Sequence, residues 1–205
     1  MPETAPDRRT ATGAALRRAI LDEARQLLVS DGYANLSMRR IGRGVGCSAT
    51  SIYLHFENKD GLVHALITEG MGRLLGALTD ARAAHRGPVA QLGAMGHAYV
   101  RFGLDNPELY EVMFQLRPDQ MARYPAEDYR RARRNLEAFA EVFAAGEAAG
   151  TLDATPSPDV AAHVLWTALH GLVSLLRAGR VDVRVADDAF VDAAVARAVG
   201  AFRAA

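Results

Sequence analysis

The chain has 205 residues, 24 Lys or Arg against 24 Asp or Glu, with half of the sequence hydrophobic and 23 % charged. That length holds one globular domain and at most a small second one, and the apolar share excludes wholesale disorder. A single cysteine, Cys47, excludes an internal disulfide or a multi-thiolate zinc site and fits a reducing compartment. The first residues are polar and lack the apolar run of a secretory signal. The longest charge-free apolar stretch, 160–176, falls short of the ~20 residues a bilayer needs, so a cytoplasmic protein is expected.

No segment alternates apolar and polar residues as a half-buried strand requires, and the chain reads as helix after helix. A polar lead, 1–12, is expected to be a flexible arm. A first helix over 13–30 carries Leu16, Ile20, Ala24 and Leu27 at helical spacing and stops at Asp31-Gly32. Ser37 caps a short second helix that ends near Gly46. Ser48 caps a third, with Ile52 and Phe56 on its buried side. Asn58 opens a long fourth helix with Leu62, Leu66, Gly70, Leu74 and Leu78 in one stripe. Gly87-Pro88 breaks the chain, and helices over 89–104 and 107–114 follow. Residues 117–125, with two prolines, read as a loop. Further helices are predicted over 126–149, 159–178 and 187–202, the last two joined by the valine-rich link 181–185. The expected fold is all-α, nine helices. The expected organisation is an arm over 1–12, a first domain over 13–60 that extends to about 74, and a second domain over 75–205.

The informative segment is 37–59. From Ser37 to Phe56 there are three arginines (Arg39, Arg40, Arg43), His55 and no acid, which suits a surface facing negative charge. Two short helices joined at Val45-Gly46-Cys47 form a helix-turn-helix, in which Gly46 permits the positive φ of the turn. The second helix of the pair turns Ala49, Thr50, Ser51, Tyr53 and Leu54 outward. These are small or hydroxyl-bearing side chains that can approach base edges and touch a thymine methyl in the major groove. Tyr53, His55 and Lys59 stand where phosphates would lie, beside the free N–H groups that open the fourth helix.

Together with the preceding helix and Gly32, the string Ile52-Tyr53, His55-Phe56, Asn58-Lys59 and Leu62 resembles the TetR family of bacterial transcriptional regulators over residues 14–74. Asn106-Pro107-Glu108-Leu109-Tyr110, Met113-Phe114 and the set Trp166, His170, Gly171 resemble the C-terminal part of its tryptophan-histidine-glycine subgroup. The resemblance implies DNA contacts from Met38, Arg39, Ala49, Thr50, Ser51, Tyr53, Leu54, His55 and Lys59, with the cap residues Ser37 and Ser48 on the same surface. Tyr53 and Lys59 match the family's phosphate contacts. Two features depart from the family pattern. Gly42 and Gly44 stand where alanine and longer residues are usual and are expected to cost the second helix ~1 kcal/mol each. Cys47 replaces an aliphatic residue.

Beyond residue 90 the helices carry Met95, Tyr99, Phe102, Tyr110, Met113, Phe114, Phe139, Phe143 and Trp166. Such side chains build a core, or, mixed with histidines such as His170, line a pocket for a small organic molecule. The resemblance implies the pocket, so these nine residues and His170 are the expected effector site. His163 and His170 are seven residues apart, a rise of ~10.5 Å, too far to share one metal ion, so no metal is expected. No catalytic set, phosphate loop or cofactor motif stands out. The run Arg130-Arg131-Ala132-Arg133-Arg134 has Glu127, Asp128 and Glu137 at i,i+3 and i,i+4 spacing and reads as a solvated face. The last two helices hold more apolar area than one protomer needs, which, with the resemblance, points to a two-fold dimer through a four-helix bundle.

The expected function is a homodimeric repressor that binds a palindromic operator, with half-sites ~34–36 Å apart, and is released by a small-molecule effector. One rival is a helical small-molecule-binding protein or enzyme that has lost DNA recognition, a reading to which Gly42 and Gly44 lend weight. Another is a constitutive DNA binder without an effector.

Overall fold

The computed structural model describes residues 8–114 and 125–204, with side chains from residue 13 onward. The expected arm up to residue 7 and the expected loop up to residue 124 lie outside the described residues. Nine α-helices are formed among them: α1 (Arg8–Asn35), α2 (Met38–Val45), α3 (Ala49–Tyr53), α4 (Lys59–Ala83), α5 (Pro88–Asp105), α6 (Pro107–Phe114), α7 (Ala126–Ala148), α8 (Pro158–Arg177) and α9 (Asp188–Gly200). The described residues form no strand, only one antiparallel bridge between Leu152 and Arg203.

Two compact units share these helices, and the chain passes from one to the other within α4, between Glu69 and Gly70. The first unit holds α1, α2, α3, the start of α4 and nearly all of α6. α1 begins at Arg8, ahead of the expected residue 13, and is interrupted at Gly32, whose φ of 76° only glycine adopts freely. Ile20, Leu21, Ala24 and Leu28 of α1 are buried with Ile41 of α2, Ile52 of α3 and Leu62, Val63 and Leu66 of α4. This apolar centre fixes the helix pair α2–α3 as one body. An ion pair from Arg25 Nε to Glu108 Oε2 (3.4 Å) ties α6 to α1. α6 thus packs with the first unit.

The second unit holds the rest of α4 with α5, α7, α8 and α9. Glycine allows a close approach of its helices: a Cβ at Gly96 of α5 would stand 2.8 Å from Val195 Cγ1 of α9 and 3.5 Å from Leu169 of α8. At the far end of α9 the chain turns back. The Asp153 N–H donates to the Phe202 carbonyl (2.8 Å), and the Phe202 ring meets Phe143 edge-on at 4.9 Å. These contacts end α9 at Gly200, two residues before the predicted end.

α8 is longer than its charge-free run. The charge-free run is short, but the Ser157 cap, Asp159 and Arg177 extend the helix to 20 residues. By length and composition alone it could cross a bilayer, and 28 % of its most apolar window is buried. It is capped by Ser157, whose Oγ accepts from the Val160 N–H, and packs on α5, α7 and α9.

Candidate nucleic-acid interface

The interface is held by its caps. Ser37 Oγ accepts from the Arg40 N–H (3.3 Å) and starts α2; Gly46, at φ 75° and ψ 30°, ends it. The Cys47 N–H then donates to the Gly42 carbonyl (2.8 Å), closing a C-terminal αL cap. Ser48 Oγ accepts from the Ser51 N–H (3.1 Å) and lies 2.9 Å from Ser51 Oγ, so α3 is also capped by its first hydroxyl. Asn58 Oδ1 accepts from the Gly61 N–H (2.8 Å) at the head of α4. Ser37 and Ser48 hold these turns together, and their hydroxyls are engaged within the protein.

What remains outward is a small neutral ridge. Thr50 is exposed, Ala49 and Ser51 are half-buried, Tyr53 is 54 % exposed and Leu54 is 82 % exposed. An apolar side chain left that open on a five-residue helix is available to a partner surface. Ile52, on the opposite face, is fully buried and sets the rotation of α3. Arg39 and Arg43 are exposed, while Arg40 is paired with the Asp31 carboxylate. Positive charge therefore borders the ridge from α2.

Two of the expected contact residues are engaged within the first unit. Met38 is 6 % exposed and packs into the first unit's core, because the first residue of α2 shares a face with Ile41 and Gly42. Lys59 is tied inward: its Nζ donates to the Tyr33 carbonyl (3.1 Å) and lies 3.9 Å from the centre of the Tyr33 ring. The Tyr33 hydroxyl in turn donates to Asp60. Lys59 thus holds the end of α1 to the start of α4 and offers fewer donors than a free ammonium.

Gly42 has a packing reason that the sequence did not reveal. A Cβ there would sit 2.7 Å from the Cys47 carbonyl oxygen, a backbone atom of the turn. The tight turn that aims α3 therefore requires the glycine. At Gly44 the obstruction is the Glu23 side chain, which can move.

The expected effector residues are not brought together in one unit. Tyr110, Met113 and Phe114 belong to the first, the other seven to the second. Met95, Tyr99, Tyr110, Phe139 and Phe143 are at most 1 % exposed, so they are core. Within the second unit, Trp166 Nε1 donates to Tyr99 Oη (3.0 Å) and Tyr99 Oη lies 3.4 Å from His170 Nδ1. The Trp166 and His170 rings stand 5.4 Å apart, and burial holds the imidazole pKa below its ordinary 6.5. An open cleft of about 530 Å³ lies elsewhere, between the start of α5 and the end of α9, and none of the ten residues lines it. Its only sequence signals are Gly87-Pro88 and the glycine at 93; nothing local announces that α9 closes it.

Residues 20–66 match the family "Bacterial regulatory proteins, tetR family". Residues 92–201, more than half of the chain, match "Tetracyclin repressor-like, C-terminal domain". The HTH-type transcriptional repressor Rv1474c of Mycobacterium tuberculosis is 41 % identical over 61 residues, which cover 30 % of this chain and 33 % of that protein. The chain thus spans about a third of the length of this relative. A solved structure of a protein with unknown function from Rhodococcus sp. RHA1 is 27 % identical, with a TM-score of 0.75 over 91 % of this chain and 92 % of that one. A TetR family transcription regulator from Marinobacter aquaeolei VT8 shares the fold at 19 % identity, with a TM-score of 0.78 over 96 % of this chain and 100 % of that one.

Proposed function

As this chain belongs to the TetR family of bacterial regulatory proteins, we propose that it is a homodimeric transcriptional repressor that binds a near-palindromic operator and leaves it when a small molecule binds. The observation that carries the reading is the outward ridge of α3. Thr50 and Tyr53 stand on a helix, and the 82 % exposed Leu54 caps its end, while its other face is locked into the core by Ile52. Each protomer would place this ridge in the major groove, with Arg39 and Tyr53 on flanking phosphates. Base discrimination would come from short side chains and the Leu54 methyls, and affinity chiefly from the phosphates.

The dimer is proposed to form through α8 and α9. Val160, Val164 and Leu175 are 42 %, 52 % and 52 % exposed and fall on one face of α8. Exposed Ala189, Ala193 and Ala196 lie along one face of α9. A partner's equivalent pair would cover both faces. Effector binding in the second unit would act by favouring a conformer whose two ridges no longer match successive grooves.

The feature that favoured a protein without DNA recognition was a second helix softened by two glycines. Gly42 is accounted for by the close turn, which leaves Gly44 alone as support.

Operator titration against salt tests the proposal. A fragment from upstream of the protein's own coding region should bind with log affinity falling linearly in log salt. Arg39→Gln should weaken binding and flatten that slope by about one, and Leu54→Ala should reduce the preference for operator over random duplex. Salt-independent binding, or Arg39 and Leu54 variants indistinguishable from the parent, would refute it.

A further inference from the structure

The cleft between the start of α5 and the end of α9 has three properties that point to one class of ligand. Its volume, about 530 Å³, lies within the range of small-molecule sites. The first property is its charge. Arg86 and Arg203 both line it, and neither has an ion pair among the described residues. Among the described residues no carboxylate side chain lines the cleft; Asp192, which approaches His97 at 3.6 Å, lies outside the lining.

The second is the head of α5. Gly87 offers no side-chain cap and Pro88, in the first turn, has no N–H. The N–H groups of Val89 and Ala90 fall in the first turn, ahead of any intrahelical acceptor, and both residues line the cleft. Their donors and the positive end of the helix reinforce the two guanidinium groups.

The third is an unfilled floor. Gly93 lies inside α5, where glycine weakens a helix relative to alanine. One turn on, Gly96 is explained by its contact with Val195. A Cβ at Gly93 meets nothing within 4 Å, nor does one at Gly200 on the facing helix. Packing within the protein requires neither glycine, and both leave room in the cleft beside the apolar side chains of Val195 and Val199.

We propose that this cleft binds a small organic carboxylate with an apolar tail. The carboxylate would rest on Arg86, Arg203 and the first turn of α5, and the tail would run over Gly93 against Val195 and Val199. Charge complementarity selects the anion, since a neutral or cationic head would leave both arginines without a counter-charge. The inference deepens the proposed function by naming a ligand class and a place for it. It rests on that reading only for the consequence that occupancy weakens operator binding.

Calorimetric titration of the full chain with octanoate, octanol and octylammonium tests it. Octanoate should saturate one site per protomer, with octanol at least about tenfold weaker and octylammonium weaker still. Arg86→Gln with Arg203→Gln should lower octanoate affinity to that of octanol. Gly93→Leu should abolish binding with the helical circular dichroism and melting temperature retained. Equal binding of octanoate and octylammonium, no saturable octanoate binding, or unchanged octanoate affinity in both the arginine and the Gly93 variants overturns the proposal. Operator titration of the same samples separates the two readings. A protein that binds octanoate but no DNA refutes the regulator alone, and one that binds operator but ignores octanoate refutes the cleft alone.

Discussion

Gly42 and Gly44 look alike in the sequence, two glycines in a short helix, and propensity alone assigns them the same cost. Their surroundings separate them. At Gly42 the obstructing atom is the Cys47 carbonyl oxygen, fixed by the turn; at Gly44 it is the end of the Glu23 side chain. Gly42→Ala is therefore expected to destabilise the chain by about 1–3 kcal/mol, since the turn must open to admit a methyl group. Gly44→Ala is expected to be neutral or to stabilise by up to about 1 kcal/mol, as Glu23 swings away and the helix gains an alanine. Urea unfolding of the two variants checks both signs. Equal destabilisation by both would show that the Cys47 contact does not control the turn. The same distinction applies to Lys59. Its sequence position suggested a phosphate contact, yet its Nζ already serves the Tyr33 carbonyl and ring.

At the scale of the element, caps matter more than periodicity in the interface. α3 has five residues, too short to persist without help, and its first turn depends on Ser48 accepting from the Ser51 N–H. Ser48→Ala is expected to cost about 1 kcal/mol. Ser48→Asp supplies an equally good cap and so should keep the parent's stability. It also puts a negative charge beside the ridge that is proposed to face phosphate. The pair thus parts stability from recognition: melting temperature should fall only for the alanine variant, and operator affinity should fall for the aspartate variant despite its intact fold. An aspartate variant that binds operator like the parent would move the DNA surface away from α3. The caps at Ser37, Ser48 and Asn58 were legible because serine and asparagine ahead of a helix act through their own backbone, within three residues. The start of α1 at Arg8 was not, because the polar residues ahead of 13 carry no stop signal and their helix extends one already nucleated by Ile20 and Ala24.

At the scale of the whole molecule, the exposed face of α8 is where the proposed dimer would form. Val164→Glu with Leu175→Glu should leave the helical content unchanged, since both side chains are half-exposed in the protomer. It should convert the proposed dimer to a monomer on sedimentation and lower operator affinity on the order of 10²-fold or more, through loss of paired half-sites. A variant that remains dimeric would place the two-fold axis elsewhere.

What the sequence determined by itself is everything governed by short range. Helical periodicity, caps and the glycine of the turn fixed nine helices, and the string from Ser37 to Lys59 fixed the helix-turn-helix and its outward ridge. Tertiary structure alone decided three things: that Met38 points inward, that α6 joins the first unit, and that the aromatic residues divide between two bodies. It also decided that an open cleft lies between the start of α5 and the end of α9, lined by both Arg86 and Arg203. These depend on contacts between residues tens of positions apart. An aromatic side chain on an amphipathic helix carries the same local signal whether the helix opposite fills the space before it or leaves it empty.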